Sequence, residues 1–182
     1  EEGTSFAQRE LDLPDEDTEY QMYEDTAEIL GTYGYQQYEI SNYAKPGYMC
    51  RHNAGYWQRR EYLGFGLGAS SLYRELRFSN TRRMQEYLTD SGKLEQIRKE
   101  VTVLSRNEQI EEFMFLGLRM TEGISEKLFK ETFGVRIMDI YGDILQKYEA
   151  IGFMEHIETK WCLTRKGIHV SNHILADFLL DE

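Results

Sequence analysis

His52 stands between Arg51 and Asn53, with Tyr56 and Trp57 just beyond and Arg59 and Arg60 after them. Imidazole is the side chain best able to ligate iron axially and to titrate near neutrality. A Tyr-Trp pair offers flat apolar faces, and guanidiniums grip carboxylates as planar two-pronged donors. Together these types suit a flat, anionic, metal-bearing ligand. On spacing alone a lone histidine such as His52 is more often a hydrogen-bonded structural residue, and that reading stays open. Glu39, inside an apolar stretch, is a candidate buried base or, more simply, a satisfied carboxylate at a strand edge or barrel interior. His169 and His173 have the spacing of a helical metal pair but no third ligand nearby, so a surface role is expected for them and for His156. Gly64, Gly66 and Gly68 lack the spacing of a dinucleotide fingerprint. No nucleophile–base set assembles, so no catalytic residue is assigned.

The elements around these residues follow from local signals. Leu13-Pro14-Asp15-Glu16-Asp17 predicts a helix start, with proline in the first turn and acids at the positive end of the dipole. Tyr20, Tyr23, Ala27 and Leu30 then recur at helical spacing, and residues 37–40 read as a short strand, as in one αβ unit of a larger parallel sheet. Residues 41–47 read as loop, and 51–60 as a short helix or ordered loop. Tyr62 to Ala69 reads as a strand with three glycines on one face, Leu72 to Asn80 as a hairpin, and Thr81 as the cap of a helix over 82–89. Asn107, Ser125 and Met138 begin three amphipathic helices, the last with Ile140, Ile144, Leu145, Tyr148 and Ile151 inward. FMEHIE and WCLT alternate as a hairpin, and Thr164 opens a final helix through Leu179. Three helices followed by a hairpin predict a winged-helix-like unit.

Composition narrows the function classes. The chain has 182 residues, 41% hydrophobic and 13% aromatic, enough for a folded core. No apolar run reaches the roughly 18 residues that span a bilayer, so a cytoplasmic protein without a transmembrane segment is expected. Cys50 and Cys162 are far apart and read as buried free thiols, too few to hold an iron–sulfur cluster. The net charge is −11, yet residues 45–83 carry eight bases against two acids. That basic island favours a local anionic ligand over a long polyanion, and the acidic balance of residues 105–182 weighs against a winged-helix nucleic-acid binder. A solvated surface stripe is the plainer alternative.

The strings YEISNYAKPGYMCRHNAGYW, EYLGFGLGAS, EEFMFLGLRMTEGIS and LTRKGIHVSN resemble the oxygen-independent coproporphyrinogen III oxidase-like radical SAM family, and within it the HemW-type heme chaperones. The family's HNxxYW hallmark is matched by His52-Asn53-Ala54-Gly55-Tyr56-Trp57. Ser70 departs from it, since many members carry histidine after Gly-Ala.

The resemblance implies an α+β protein: the terminal αβ unit of a radical SAM partial TIM barrel with the HNxxYW segment (1–80), a connecting helix or linker (81–104), and a helical, winged-helix-like C-terminal domain (105–182). It implies that the cluster-binding Cys-x3-Cys-x2-Cys and the S-adenosylmethionine strand belong to a longer parent, of which this chain is the C-terminal fragment. It also implies heme, or a related tetrapyrrole of porphyrin biosynthesis, as ligand and heme-requiring acceptor proteins as partners. His52 becomes the expected iron ligand, Asn53 its orienting neighbour, and Tyr56 and Trp57 an apolar wall. The basic island adds Arg51, Arg59 and Arg60 as propionate partners. A coproporphyrinogen oxidase fragment is the alternative, and a piece of barrel exposing sheet edge and core face is expected to form a homodimer.

Overall fold

In helix α1 (Glu16–Thr32) the first turn carries Glu16, Asp17 and Glu19, and the Asp15 carboxylate accepts from the Thr18 N–H at 2.8 Å. The computed structural model describes residues 3–7 and 13–180. Of the opening stretch EEGTSFAQRE, residues 3–7 form turns and the rest lies outside the described residues. No residue of α1 is buried; Tyr23, Ala27 and Leu30 are half-covered, whereas Tyr20, Met22 and Ile29 remain exposed.

Strands β1 (Gln36–Glu39) and β2 (Asn42–Ala44) pair antiparallel, with Gln36 opposite Ala44. Residues 42–44 were expected as loop and β1 as part of a parallel sheet. Instead the Ser41 N–H and the Asn42 amide both donate to the same Glu39 oxygen, at 2.9 and 2.6 Å, and turn the chain back on itself. Every strand pair among the described residues is antiparallel. The outer edge of β1 is closed by the turn after a later helix: Ile40 N–H donates to Arg119 O, and Thr121 N–H to Tyr38 O, both at 3.1 Å.

Helix α2 (Arg51–Trp57) is followed by irregular chain rather than the expected strand, with only Tyr62 bridging Leu72. The three glycines therefore share no strand face. Gly66 and Gly68 take φ of 103° and 67°, and a Cβ on Gly64 would lie 2.1 Å from the Ser70 carbonyl oxygen, so that carbonyl is what comes close.

Strands β3 (Ser70–Tyr73) and β4 (Leu76–Asn80) form the expected hairpin through Arg74 and Glu75, both left-handed. Thr81 does not occupy the cap position; helix α3 (Met84–Asp90) begins later, and the Thr81 hydroxyl braces its first turn by donating to Glu86 at 2.6 Å. After α4 (Leu94–Ile97), strand β5 (Arg98–Val103) completes the sheet order β3-β4-β5. Strand β5 was not expected, because it buries neither face and so carries no apolar alternation.

The remaining chain is α5 (Arg106–Gly117), β6 (Ile124–Ser125), α6 (Glu126–Phe133), α7 (Ile137–Ala150), β7 (Met154–Ile157), β8 (Lys160–Leu163), α8 (Arg165–His169) and α9 (Ser171–Ala176). Ser105 and Glu108 form a reciprocal capping box on α5, Ser125 caps α6, and Gly134 ends α6 at φ 71°. The three strands lie in the order β6-β8-β7. The main apolar cluster lies wholly within this part, with Phe113 meeting both Phe129 and Phe133 edge to face and Tyr141 donating to Phe178 O at 3.0 Å. On α7 the inward side includes Tyr141, while Ile151, expected inward, is 55% exposed past the helix end. The final helix is broken at Val170 into α8 and α9, and Leu179 is exposed.

Candidate functional site

Helix α2 starts after Cys50 without a side-chain cap and ends in a reciprocal C-terminal turn, Arg60 N–H to Gly55 O at 2.9 Å and Arg59 N–H to Tyr56 O at 3.0 Å. That turn places Arg59 at φ 51°, where glycine is usual. Cys50, expected buried, is exposed because it precedes the helix on the surface; Cys162 is buried, which pushes its thiol pKa up.

The HNxxYW spacing is two adjacent i,i+4 pairs, and the helix sends them to different surroundings. Asn53 and Trp57 turn inward. The Asn53 amide donates to the Tyr38 hydroxyl at 3.1 Å, tying α2 to β1, and the Arg119 guanidinium lies over the Trp57 ring at 4.4 Å. Ala54 is buried beside them. His52 and Tyr56 face outward, with rings edge to face at 4.7 Å and the Tyr56 hydroxyl 3.0 Å from His52 Nε2. Tyr62 meets the other side of Tyr56 at 4.6 Å, and burial raises the Tyr62 pKa. The His52 imidazole is thus exposed to solvent but already holds one partner through Nε2.

The arginines separate. Arg51 and Arg60 are exposed with unpaired guanidiniums among the described residues. Arg59 is not free: its side chain is 10% exposed, its Nε donates to Glu112 at 3.0 Å and its terminal nitrogens meet Glu75. Burial works against its charge, but the Glu75 and Glu112 hydrogen bonds outweigh that and shift its pKa upward. Arg77 takes the other Glu112 oxygen at 2.6 Å. Arg59 as a propionate partner is therefore corrected: its charge is spent inside the protein, fixing the end of α2 to α5 and to the β3–β4 turn. Part of the basic island is likewise neutralised internally.

Glu39 is fully buried, with Oε1 accepting from Ser41 and Asn42 and Oε2 3.9 Å from Arg119. It ties a tight turn, which matches the satisfied-carboxylate reading for one oxygen only, since Oε2 has no hydrogen-bond partner among the described residues. His169 is more than a surface residue: it packs against Tyr20 and Tyr23, and its Nε2 lies 2.8 Å from Glu24, which also pairs with Arg165. The Arg165 hydrogen bond first, then His169, holds the Glu24 carboxyl below its ordinary range, and α8 is thereby pinned to α1. His173 is exposed, and His156 stacks on Trp161 at 4.5 Å.

Sequence reasoning missed Glu112, Arg119 and Tyr38. Glu112 offered one signal, a carboxylate inside the apolar run Phe113-Met114-Phe115 and Ile110; its partner Arg59 lies 53 residues away. Two cavities border this region, about 300 Å³ beside Trp57 and Arg60, and about 590 Å³ beside Arg119 and His169. His52 lines neither.

Residues 104–170 match the HemN C-terminal domain family. The chain is 35% identical to the heme chaperone HemW of Lactococcus lactis, over all of this chain and 48% of that protein. It is 34% identical to HemW of Bacillus subtilis (93% of this chain, 45% of that one) and 31% identical to HemW of Escherichia coli (100% and 48%). The chain thus spans about half the length of the curated relatives it matches. Its fold is similar to that of coproporphyrinogen III oxidase HemN from Escherichia coli, described as a radical SAM enzyme, with a TM-score of 0.72 over 94% of this chain and 43% of that one at 16% identity. The α+β architecture is shared between them.

Proposed function

Because the chain belongs to the HemW/HemN family, we propose that it is the heme-holding part of a heme chaperone that passes heme to acceptor enzymes in the cytoplasm. The observation that carries this reading is His52: the motif histidine stands exposed on a short helix whose inward pair, Asn53 and Trp57, is anchored by Tyr38 and Arg119. An imidazole on a fixed helix is oriented for axial ligation, and one on the surface releases its cargo without opening a core. Ligation through Nε2 exchanges the Tyr56 hydrogen bond for iron. Tyr56 then walls the ring, Asn53 and Trp57 hold the helix, and Arg51 and Arg60 are the free cations for propionates. Tyr48, 82% exposed just before α2, adds an aromatic face.

The [4Fe–4S] cluster and S-adenosylmethionine of this reading belong to the full-length parent. On this reading the described residues up to 80 are the barrel end with the HNxxYW segment, the stretch 81–104 joins it to the C-terminal domain while lending β5 to the β3-β4-β5 sheet, and the described residues from 105 onward are that domain. The element order α5-β6-α6-α7-β7-β8 supports a winged-helix-like assignment for that domain. Its role is contact with a partner protein rather than nucleic acid, given its acidic balance. The uncovered face of α1 supports self-association into a homodimer.

The test is a hemin titration followed at the Soret band. His52→Ala is expected to weaken binding by about tenfold or more, the range that loss of a metal-site contact produces. The Arg51→Ala/Arg60→Ala double variant is expected to weaken it less, and Arg59 variants to act through stability alone. Unchanged affinity in both the His52 and the double arginine variants would remove the site.

A further inference from the structure

We infer that the loop around Phe65, with Arg82 and Arg83 beside it, is the surface on which helix α1 of a second copy of this chain docks. The inference rests on the self-association proposed above and names the two faces that meet. Phe65 is 89% exposed, and Leu63 and Leu67 on either side of it are 49% and 41% exposed. Hydrogen bonds hold this loop in place. The Asn80 amide donates to the Gly64 and Gly66 carbonyls at 3.3 and 2.8 Å, the Gly64 N–H to the Ser71 hydroxyl at 3.0 Å, and the Gly68 N–H to Thr81 O at 3.0 Å. Asn80, Ser71 and Thr81 are all buried. An aromatic side chain displayed on a fixed backbone loses little freedom when covered, and such residues, with arginine, are enriched where proteins meet.

Charge selects the occupant. Arg82 lies against the loop, its Cγ 3.5 Å from where a Cβ on Gly68 would stand. Arg82 and Arg83 are exposed, and neither forms an ion pair among the described residues; the nearby Glu86 is held by Lys99 at 2.5 Å. A segment that covers Phe65 must therefore bring acid beside apolar surface. Helix α1 is such a segment. It carries six acids and no base, and among the described residues only Glu24 of the six is ion-paired. Met22, Ile29 and Tyr33 stand at i, i+7 and i+11, each more than half exposed, and form one apolar stripe flanked by Glu19 and Asp25. Two copies placed reciprocally close a two-fold pair, each giving its α1 and receiving the other's.

Sedimentation equilibrium of the full chain tests this. The native chain is expected to form dimers that weaken as salt is raised. Phe65→Ser is expected to raise the dissociation constant by about tenfold, the effect of truncating an interface anchor. The double variants Arg82→Glu/Arg83→Glu and Glu19→Lys/Asp25→Lys are each expected to be monomeric where the native chain is dimeric, with their helical circular dichroism retained. Mixed in equal amounts, the two are expected to pair again, because each reversed face then meets the opposite charge; a folding defect is not mended by mixing. A native chain that stays monomeric would overturn the proposal together with the homodimer reading. Dimers indifferent to Phe65→Ser and to both reversals, or reversed variants that fail to pair when mixed, would overturn this interface and leave the homodimer reading standing.

Discussion

Residues 16–57 and residues 104–180 are held together by different physics. The later part owns the main apolar cluster, whereas α1 buries nothing and α2 buries only Ala54. The motif helix keeps its position through polar ties to the rest: Asn53 to Tyr38, Trp57 to Arg119, Arg59 to Glu112 and Glu75. The consequence is a division of labour. One part supplies rigidity, and the other displays His52 on the surface.

That contrast can be broken by truncating matched residues. Phe129→Ala, in the centre of the cluster, is expected to destabilise by about 3–5 kcal/mol, and Ile29→Ala, on the exposed face of α1, by no more than about 0.5 kcal/mol. Urea denaturation of both measures the difference; equal losses would mean that α1 contributes to the core.

A smaller effect probes the seam. Glu112→Gln is expected to lose about 2–3 kcal/mol, below the full penalty of stranding a buried charge because Arg59 keeps Glu75. In the same unfolding experiment, a loss under about 0.5 kcal/mol would show that α2 is not held through this pair.

The two parts should also fail at opposite ends of the pH scale. Burial raises the Tyr141 pKa in the core, so its contribution is whole below the ordinary tyrosine value of about 10 and is lost as pH rises through it. The Glu24 carboxyl is depressed by Arg165 and His169, so its contribution is present above the ordinary value of about 4.3 and is lost as pH falls below it. Amide exchange across the pH range should show α1 loosening first in acid and the α7 core first in alkali. Simultaneous loosening at either end would contradict the division.

The smallest expected change sharpens the site itself. Tyr56→Phe removes the hydroxyl that occupies His52 Nε2 and is expected to tighten heme binding by about two- to fivefold, the worth of one exposed hydrogen bond. Weaker binding in this variant would assign the hydroxyl a direct contact with the ligand instead.

How far these features could be read from sequence depended on how local their causes are. Helices α5, α6 and α7 and the β7–β8 hairpin were legible from local apolar spacing, and α6 also from its Ser125 cap and Gly134 stop. Strand β5 was not, since RKEVTV buries no face and exists by pairing with β4. The Gly64-Gly66-Gly68 stretch alternates like a strand, but left-handed backbone at Gly66 and Gly68 forbids one. At the site, residues 51–60 read equally as a short helix or an ordered loop, and spacing pairs His52 with Tyr56 and Asn53 with Trp57 without saying which pair faces outward. Nor was the loss of Arg59 to Glu112 legible, because nothing near either residue in the chain indicates the other.

The iron–histidine stretching band of the ferrous heme complex tests the central claim most directly, since the chain has four histidines and only His52 is assigned the metal. The band is expected in the native chain and in the His156→Ala/His169→Ala/His173→Ala variant, and is expected to vanish in His52→Ala. A band that survives the loss of His52 would contradict the account.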